Sequence, residues 1–558
     1  MAKIRWAVWM AALFLAALPA AEATVKLDLS YVDKHSAAYG RFRGFVDRAV
    51  AGDPGYGFSA TDAAYMYRLT GARPYGELAV RMVDAQVRAA EAAMAAGHAP
   101  PVADDSYLDI GPMLRDLALA YDWCGELATP AQKARWKAYA DQAVTNVWHP
   151  YAARWGGHWL PGNGWAIDDP GDNYFYSFLE ATMYWSLASD NDQMKAYLRD
   201  DRLPRLTAYF ARLPGGGSRE GTSYGASLRT LFGLYRLWRD ATGVDLANAN
   251  SHLTDTIYYW VHATVPTLDR FAPIGDQPRV SVPELYDYER QLMLEARNLT
   301  RDAAAAGVAS WWLHRISIRQ MTSSFNDRHD LLPAGGAGTA PRELIYHATG
   351  AGQLFARTDW GRHAMWLDFS AGRYDQSHAH QAQGAFTLFA GDWLAVTENI
   401  WSHSGIQQGT ETNNVLRFEH NGTALAQVTP TTSTLTLLAT GAGGEVHAAA
   451  DLTPAYGGNP ALRAWQRRID FGDRVLLVQD TFAVGEGTRA VFQLNVPVRP
   501  TIKGNTAVAG KLRITVLAPA NASLTAVDWT QVDRDYTRGW RIDVRGADDR
   551  YVVKLEGN

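Results

Sequence analysis

Cysteine is almost absent from this chain of 558 residues, with Cys124 as its single instance. No intramolecular disulfide can form, so stability must come from a large apolar core, for which the chain is long enough. An excess of positive charge is also lacking, since 53 Lys and Arg face 58 Asp and Glu for a formal net charge of −5. General nucleic-acid binders are usually basic, so nucleic acid is set aside as a partner.

Long hydrophobic runs are lacking too, apart from a short one at the N-terminus. Lys3 and Arg5 precede it, and Ala21 and Ala23 end it with an A-x-A pattern. This layout is typical of a secretory signal peptide and is too short for a stable membrane span. We predict that residues 1–23 direct export to the periplasm or beyond. The remaining chain would carry 51 basic and 57 acidic side chains, a net charge of −6.

The spacing of apolar residues changes along the chain. In stretches such as YLDIGPMLRDLALAYDW (107–123) they recur every three or four residues, which predicts amphipathic helices. From about residue 340, short β-rich runs such as RAVFQLNVPV alternate with Gly, Asn and Asp, which predicts an antiparallel β-sandwich. We predict a helical solenoid or toroid over 24–330 and an all-β domain over 331–558, joined by the Gly/Pro-rich LLPAGGAGTAPREL.

One glycine-rich stretch, RWGGHWLPGNGWAIDDPGDNYFYSF (154–178), is dense in aromatic residues. Trp165, Tyr174 and Tyr176 could stack on the apolar faces of sugar rings in a shaped, exposed loop, or could cap a helical core. Asn173 comes just before a helix-like run, where its ordinary role would be that of an N-cap.

Two further stretches combine charged residues with tight turns. LPGGGSREGTSYGAS places Arg219, Glu220 and Tyr224 before an amphipathic helix. Packing is the commoner role of such a tyrosine, but a neighbouring arginine could stabilise its phenolate and make it a proton-transfer group. APIGDQPRV contains Asp276 and Arg279, for which a salt bridge in an exposed turn is the simpler explanation.

The stretch YDQSHAHQAQGAFTLF places His378 and His380 one residue apart, before a strand-like run. On a strand, both side chains point to the same face. That geometry suits two ligands of one metal, or one ligand and one catalytic base. A metal needs further ligands, and Glu398 and His403 are the nearest candidates.

Together these motifs resemble the heparinase II/III-like superfamily of polysaccharide lyases, over nearly the whole chain after the leader. SHAHQAQGAFTLFAGDWLA is similar to the family's H-x-H, Gly, Phe, Gly-Asp-Trp-Leu pattern. SREGTSYG resembles its acidic-Gly-Ser-x-Tyr segment, GDNYFYSF its Asn-Asn-His segment, and PIGD its inter-domain turn. The resemblance implies an α+β multidomain fold, with an N-terminal (α/α) toroid and a C-terminal antiparallel β-sandwich.

The resemblance also implies cleavage of a uronate polysaccharide by β-elimination. Asn173 would neutralise the substrate carboxylate, and Tyr224 would be the base, the acid or both in turn. His378 would be a base or would polarise the tyrosine. The substrate-binding residues would be Trp165, Tyr174, Tyr176, Arg219, Glu220, Asp276 and Arg279.

The family's metal site is implied only in part. His380 and Glu398 would bind one divalent ion in the sandwich domain, most plausibly zinc, with Glu398 where the family usually has Asp. Asn413 stands where the family has a third ligand, His, and asparagine is a poor zinc ligand. Tyr174 stands where the family has a further His. No organic cofactor is implied.

Two other functions compete with the lyase. A glycoside hydrolase needs two opposed carboxyls, which Glu220, Asp168, Asp169 and Asp276 could supply. A non-catalytic glycan-binding protein would keep the aromatic stretch but would not need Tyr224 and His378 together. In each case the expected partner is an anionic polysaccharide.

Overall fold

The computed structural model describes residues 24–277, 283–318, 328–402 and 408–557. The predicted leader, Arg279 and His403 lie outside these ranges. Helices come first and antiparallel sheets follow, which confirms the predicted order of the two halves. The closed toroid stays a prediction. Among the described residues, no helix is both long and apolar enough to cross a membrane.

Helices fill the chain up to residue 313, and their ends follow ordinary capping chemistry. In α5, for example, the Thr129 side chain accepts from the Gln132 N–H, and a left-handed Gly243 ends α9. The α-helices of the described ranges are Ala37–Val50 (α1), Ala60–Thr70 (α2), Arg73–Ala95 (α3), Ile110–Trp123 (α4), Pro130–Trp148 (α5), Asn173–Ala188 (α6), Asp192–Tyr197 (α7), Leu203–Phe210 (α8), Leu228–Thr242 (α9), His252–Ala263 (α10), Asp287–Leu299 (α11) and Ala303–Leu313 (α12).

Strands follow almost entirely after residue 344, so the predicted boundary at 330/331 lies between the last helix and the first large sheet. The strands are Arg154–Trp155 (β1), His158–Trp159 (β2), Ile345–Ala348 (β3), Gln353–Arg357 (β4), Trp366–Ser370 (β5), Arg373–Tyr374 (β6), Phe386–Phe389 (β7), Trp393–Ala395 (β8), Leu416–His420 (β9), Thr423–Ala424 (β10), Thr431–Thr432 (β11), Thr434–Thr440 (β12), Val446–Asp451 (β13), Leu462–Gly472 (β14), Val475–Val484 (β15), Thr488–Val496 (β16), Thr501–Lys503 (β17), Thr506–Ala509 (β18), Leu512–Ala518 (β19), Ser523–Asp528 (β20), Trp540–Arg545 (β21) and Arg550–Gly557 (β22).

Three large antiparallel sheets and a two-stranded one, β11-β6, occur in the described residues of the second half of the chain. An eight-stranded sheet has the order β12-β13-β14-β15-β22-β19-β18-β17. A five-stranded sheet has the order β10-β9-β16-β21-β20, and a second, which we call the middle sheet, has the order β3-β4-β5-β7-β8. The N–H of Val396, just after β8, donates to Asn495 O on β16, so the two five-stranded sheets adjoin.

The middle sheet is buried on both faces. Because side chains alternate along a strand, Phe355 and Trp366 belong to the core shared with the helices, whereas Leu354 and Leu367 belong to the core of the sheets. Every residue of β4 and β5 is buried. The sheet therefore joins the helical half to the β-rich half through apolar contact.

Polar contacts fix the same junction at the end of α10. Arg357 Nη2 donates to the carbonyl oxygens of His262 and Thr264 at 3.0 and 2.7 Å, and Trp366 Nε1 donates to His262 O at 2.9 Å. The last carbonyls of a helix have no partner within the helix. Side chains of the middle sheet supply the missing donors.

A turn at Ile274, Gly275 and Asp276 also contacts both halves of the chain. Thr222 N–H donates to Ile274 O at 2.9 Å, and Ile274 N–H donates back to Thr222 Oγ1 at 3.1 Å. Asn399 Nδ2 donates to Gly275 O at 3.0 Å from the other half of the chain. The close approach requires Gly221, since a Cβ there would overlap the carbonyl oxygen of Ile274.

We expect Gly221→Ala to lower the free energy of unfolding by about 3 kcal/mol or more, because it adds a backbone clash to an unfavourable backbone angle. Gly52→Ala is the matched control, since Gly52 has φ +94° against +93° for Gly221, with no atom within 4 Å of the added Cβ. The free energy of unfolding of the control should fall by only about 1–2 kcal/mol. Equal losses in chemical denaturation would contradict the close approach.

Candidate functional site

Asn173 is the first residue of α6, but it does not cap the helix. The preceding Asp172 does so, since its side chain accepts from Tyr174 N–H at 2.9 Å. The side-chain oxygen of Asn173 is buried and has no hydrogen-bond partner among the described residues. A buried amide without a partner is rare in folded proteins, so this side chain is available for a ligand.

Glu220 lies directly beneath Asn173. Its Oε1 accepts the Asn173 backbone N–H at 3.4 Å, its Oε2 is buried without a hydrogen-bond partner, and the residue is 0% exposed. Burial, and then the nearby charge of Asp172, raise the pKa of Glu220 well above its usual value. The sequence predicted that Glu220 contacts the substrate. The structure corrects this, because Glu220 is buried and supports the backbone of Asn173.

Tyr224 stacks face to face on His378. The ring centroids are 3.5 Å apart and the planes differ by 8°. Tyr224 opens the short 3-10 helix Tyr224–Ser227 ahead of α9, whereas His378 comes from the β-rich half. Both side chains are partly exposed, so the fold brings two proton-transfer groups together at a surface that a substrate can reach.

Asp276 holds both histidines. His378 Nδ1 lies 3.0 Å from Asp276 Oδ2, His380 Nε2 lies 2.7 Å from Oδ1, and Gln408 Nε2 donates to both oxygens. Burial raises the pKa of Asp276, but these hydrogen bonds outweigh it, so the pKa lies below its usual value. An ionised carboxylate only accepts, so His378 donates from Nδ1 and its Nε2 is left to face the substrate. Asp276 therefore positions a histidine, where the sequence predicted substrate contact.

The predicted strand at His378 and His380 is wrong. Both residues lie in a turn and loop between β6 and β7, and the backbone of His378 accepts from Asp276 N–H at 2.9 Å. They face the same carboxylate because the loop bends around it, not because of strand alternation. His378 keeps 21% of its side chain exposed, whereas His380 keeps 1%.

The residues suggested for zinc do not fit a metal site. His380 Nε2 is occupied by Asp276, while Glu398 lies beside Trp401 and Gly539. Glu398 is 0% exposed, and burial raises its pKa well above the usual value. In the described part of the chain, no three His, Cys, Asp or Glu side chains are arranged to hold a metal ion.

Arg219 is held by an ion pair and a ring contact. Its Nη1 binds Asp375 Oδ2 at 2.7 Å, and its guanidinium lies over the Tyr209 ring, 4.9 Å from the centroid. With Gln376 it lines a cavity of about 510 Å³, which we call the Arg219 cavity. A role for Arg219 in substrate binding stays a prediction.

The predicted aromatic residues divide into exposed and buried ones. Trp165 is 46% exposed and packs edge to face on Tyr174, whose hydroxyl donates to Asp105 Oδ1 at 3.0 Å. Tyr176 is only 1% exposed, and its hydroxyl donates to Gly171 O at 3.4 Å. Trp165 and Tyr174 can present a ring face to a sugar, whereas Tyr176 mainly supports the site from within.

A second cavity opens beside Asn173. It measures about 480 Å³, and we call it the Arg229 cavity. Asn173 and Tyr176 of α6 line it together with Ser227, which ends the 3-10 helix of Tyr224. Sequence reasoning missed both Gln408 and Arg229, since neither lies in a recognisable motif and their positions follow from contacts distant in sequence.

No protein-family description and no curated protein matches the sequence. Solved structures do match it. Heparan sulfate lyase HepC from Pedobacter heparinus gives a TM-score of 0.59 at 14% identity, over 95% of this chain and 85% of that one. A heparinase III gene product gives 0.60 at 12% identity, over 96% and 87%. Heparinase III gives 0.61 at 12% identity, over 89% and 76%. The chain has the fold of the heparinase III-type polysaccharide lyases, as its motifs implied, and identities this low establish the fold alone.

We expect Glu220→Gln to remove a pH dependence of stability. The folded chain keeps the Glu220 proton at pH values where the unfolded chain, with a Glu pKa of about 4.3, has released it. The free energy of unfolding of the unmodified protein therefore falls as pH rises above about 4.3. The Tm of the Gln variant, relative to the unmodified protein, should rise between about pH 5 and about pH 8. Glu486→Gln, at an exposed position, is the control, and a difference that does not change with pH would contradict a neutral Glu220.

Proposed function

We propose that this protein is a polysaccharide lyase that cleaves a uronate-containing polysaccharide by β-elimination. The observation that carries the proposal is the stacked pair of Tyr224 and His378, with His378 held by Asp276. The side chain of Asn173 would supply an amide N–H donor at the same site. The fold shared with heparan sulfate lyases supports the same reaction class. The predicted leader adds that the protein meets its polymer in the periplasm or outside the cell.

Neutralisation of the substrate carboxylate is the task of Asn173. Removal of the C5 proton places negative charge on the carboxylate oxygens, and an aimed amide donor binds that charge more strongly than the ground state. The buried Glu220 holds the backbone of Asn173 without adding a second negative charge, because its carboxyl stays neutral.

Proton transfer is the task of Tyr224 and His378. The C5–H bond breaks, its electron pair forms the C4=C5 double bond, and the C4–O bond to the leaving sugar breaks. One of the two side chains takes the C5 proton, and the leaving oxygen receives a proton from Tyr224 or from its partner. The face-to-face stack holds the two rings 3.5 Å apart, so both groups can act on the same sugar of the substrate.

Hydrolysis is less well supported by the same residues. Of the carboxyls available for it, Glu220 is 0% exposed and Asp276 is 3% exposed and engaged by two histidines. Asp168 is paired with Arg202 at 3.0 Å. An inverting or retaining hydrolase needs two carboxyls that face the scissile bond across a set distance.

Product analysis tests the proposal. Protein lacking residues 1–23 is incubated with alginate, hyaluronan, chondroitin sulfate and heparan sulfate, and ultraviolet absorbance and reducing ends are followed together. A lyase produces both signals, because the C4=C5 bond conjugated to the carboxylate absorbs. New reducing ends without absorbance would identify a hydrolase, and binding without either signal would identify a glycan-binding protein.

We expect Tyr224→Phe to lower kcat by about 10²–10⁴-fold while the Tm stays nearly unchanged. The phenylalanine keeps the ring that stacks on His378 and loses only the hydroxyl that carries the proton. Tyr56→Phe, at an exposed position, serves as the control. Near-normal turnover by a folded Tyr224→Phe protein would refute the role.

A uronate carrying a phenol-type leaving group at C4 separates the two roles of Tyr224. Such a group departs without protonation, so it restores the Phe variant if the tyrosine acts as the acid. The variant stays inactive if the tyrosine acts as the base.

We expect the two histidines to respond differently to substitution. His378→Ala should abolish turnover with little change in Tm, because the side chain is partly exposed and faces the cleft. His380→Ala should lower the free energy of unfolding by about 1–3 kcal/mol, because it removes a buried donor to Asp276. Full activity and full stability in both variants would contradict the roles assigned to the two histidines. Metal analysis of the same preparations tests the zinc prediction.

A further inference from the structure

The Arg229 cavity extends the candidate site into the helical half of the protein. Asn173 and Ser227 lie at the wall shared with the catalytic residues, and Arg229 follows in the first turn of α9. Arg229 is therefore five positions after Tyr224 on one continuous segment. Because Asn173 lines this cavity, a sugar that enters it would adjoin the sugar on which Asn173 is proposed to act.

Three arginines line the cavity, and two of them are paired. Arg115 Nη1 binds Glu180 Oε1 at 2.6 Å, and Arg328 pairs with Asp62. Arg229 has no ion pair among the described residues. Its Nη1 donates to Ala226 O at 3.1 Å, and its guanidinium lies 5.1 Å from the centroid of the Tyr288 ring.

The charge of Arg229 is thus not compensated by a neighbouring carboxylate. Glu289 is the acidic residue with the largest influence on it, yet burial raises the pKa of Glu289 to about 8 and keeps that group mostly neutral. Arg229 is only partly buried, and its position in the first turn of a helix favours binding of an anion. The wall also carries Asp109, Glu180 and Asp287. Glu180 is the partner of Arg115, and Asp287 is 1% exposed.

We propose that Arg229 binds a second acidic group, a carboxylate or a sulfate, on the sugar next to the uronate that is cleaved. It thereby selects polymers in which adjacent sugars both carry acidic groups. The inference rests on the proposed lyase function, since Asn173 already engages the carboxylate of the reacting sugar. A guanidinium forms charge-assisted, paired hydrogen bonds with either kind of acidic group.

The test compares polymers with and without an acidic group on the neighbouring sugar. Unsulfated chondroitin and chondroitin sulfate share a backbone, and alginate carries a carboxylate on every sugar. We expect Arg229→Met to lower kcat/KM by about 10–100-fold on chondroitin sulfate or alginate, and by less than about twofold on unsulfated chondroitin. A lower kcat/KM of Arg229→Met on chondroitin sulfate identifies a sulfate as the ligand, and a lower kcat/KM on alginate identifies a carboxylate.

Two control variants accompany Arg229→Met. Arg229→Lys keeps the charge without the paired donors and should lose less, while Arg81→Met removes an exposed arginine of α3 and should change nothing. The Tm of Arg229→Met without ligand should equal or exceed that of the unmodified protein, because the substitution breaks no ion pair among the described residues. A lower Tm, or an equal loss of activity on every polymer, would overturn the proposal.

A binding measurement separates this inference from the lyase function. Chondroitin sulfate and alginate oligosaccharides should raise the Tm of the unmodified protein and of Arg81→Met, but not that of Arg229→Met. If the unmodified protein cleaves no polymer, the lyase function fails while this pattern still supports Arg229. If it cleaves them and Arg229→Met shows the same Tm increase, the inference about Arg229 fails alone.

Discussion

The site depends on one buried carboxylate, that of Asp276, which accepts hydrogen bonds from two histidines in the other half of the chain. Both carboxylate oxygens of Asp276 accept hydrogen bonds from histidines, which fixes the tautomer and the ring plane of His378. Tyr224 stacks on that ring. The turn that carries Asp276 is bonded in turn to Thr222, two residues before Tyr224. A single contact between the halves thus sets the geometry of both proton-transfer groups.

Polar groups without partners collect around this contact. The side-chain oxygen of Asn173 and Oε2 of Glu220 have no hydrogen-bond partner, and Arg229 has no ion pair, in the part of the chain that the structure describes. Buried polar groups are normally satisfied, so each one lowers stability until a ligand arrives. The middle sheet offsets this cost, since Phe355 and Trp366 bury large rings against the helices. The apolar contact between the halves therefore compensates for the unpaired polar groups of the site.

Much of the fold could be predicted because local spacing reports it directly. The change of apolar period near residue 340 marks the change from helices to strands. Two features escaped this reasoning. β4 and β5 are buried on both faces, so their sequence does not indicate which side meets the helices. The loop of His378 and His380 has a strand-like alternation, but its backbone bonds Asp276 instead of a neighbouring strand.

The sequence by itself determined the order of helices and sheets, the lack of disulfides and the chemical types at the site. Its motifs singled out Asn173, Tyr224 and His378, which the fold brings to one region. Only the tertiary structure decided that Asp276 binds both histidines, that Glu220 is buried against the backbone of Asn173 and that Glu398 is buried beside Gly539. The physical reason is distance along the chain. Periodicity reports neighbours a few residues apart, whereas Asp276 and His378 are 102 residues apart and meet only because the two halves pack together.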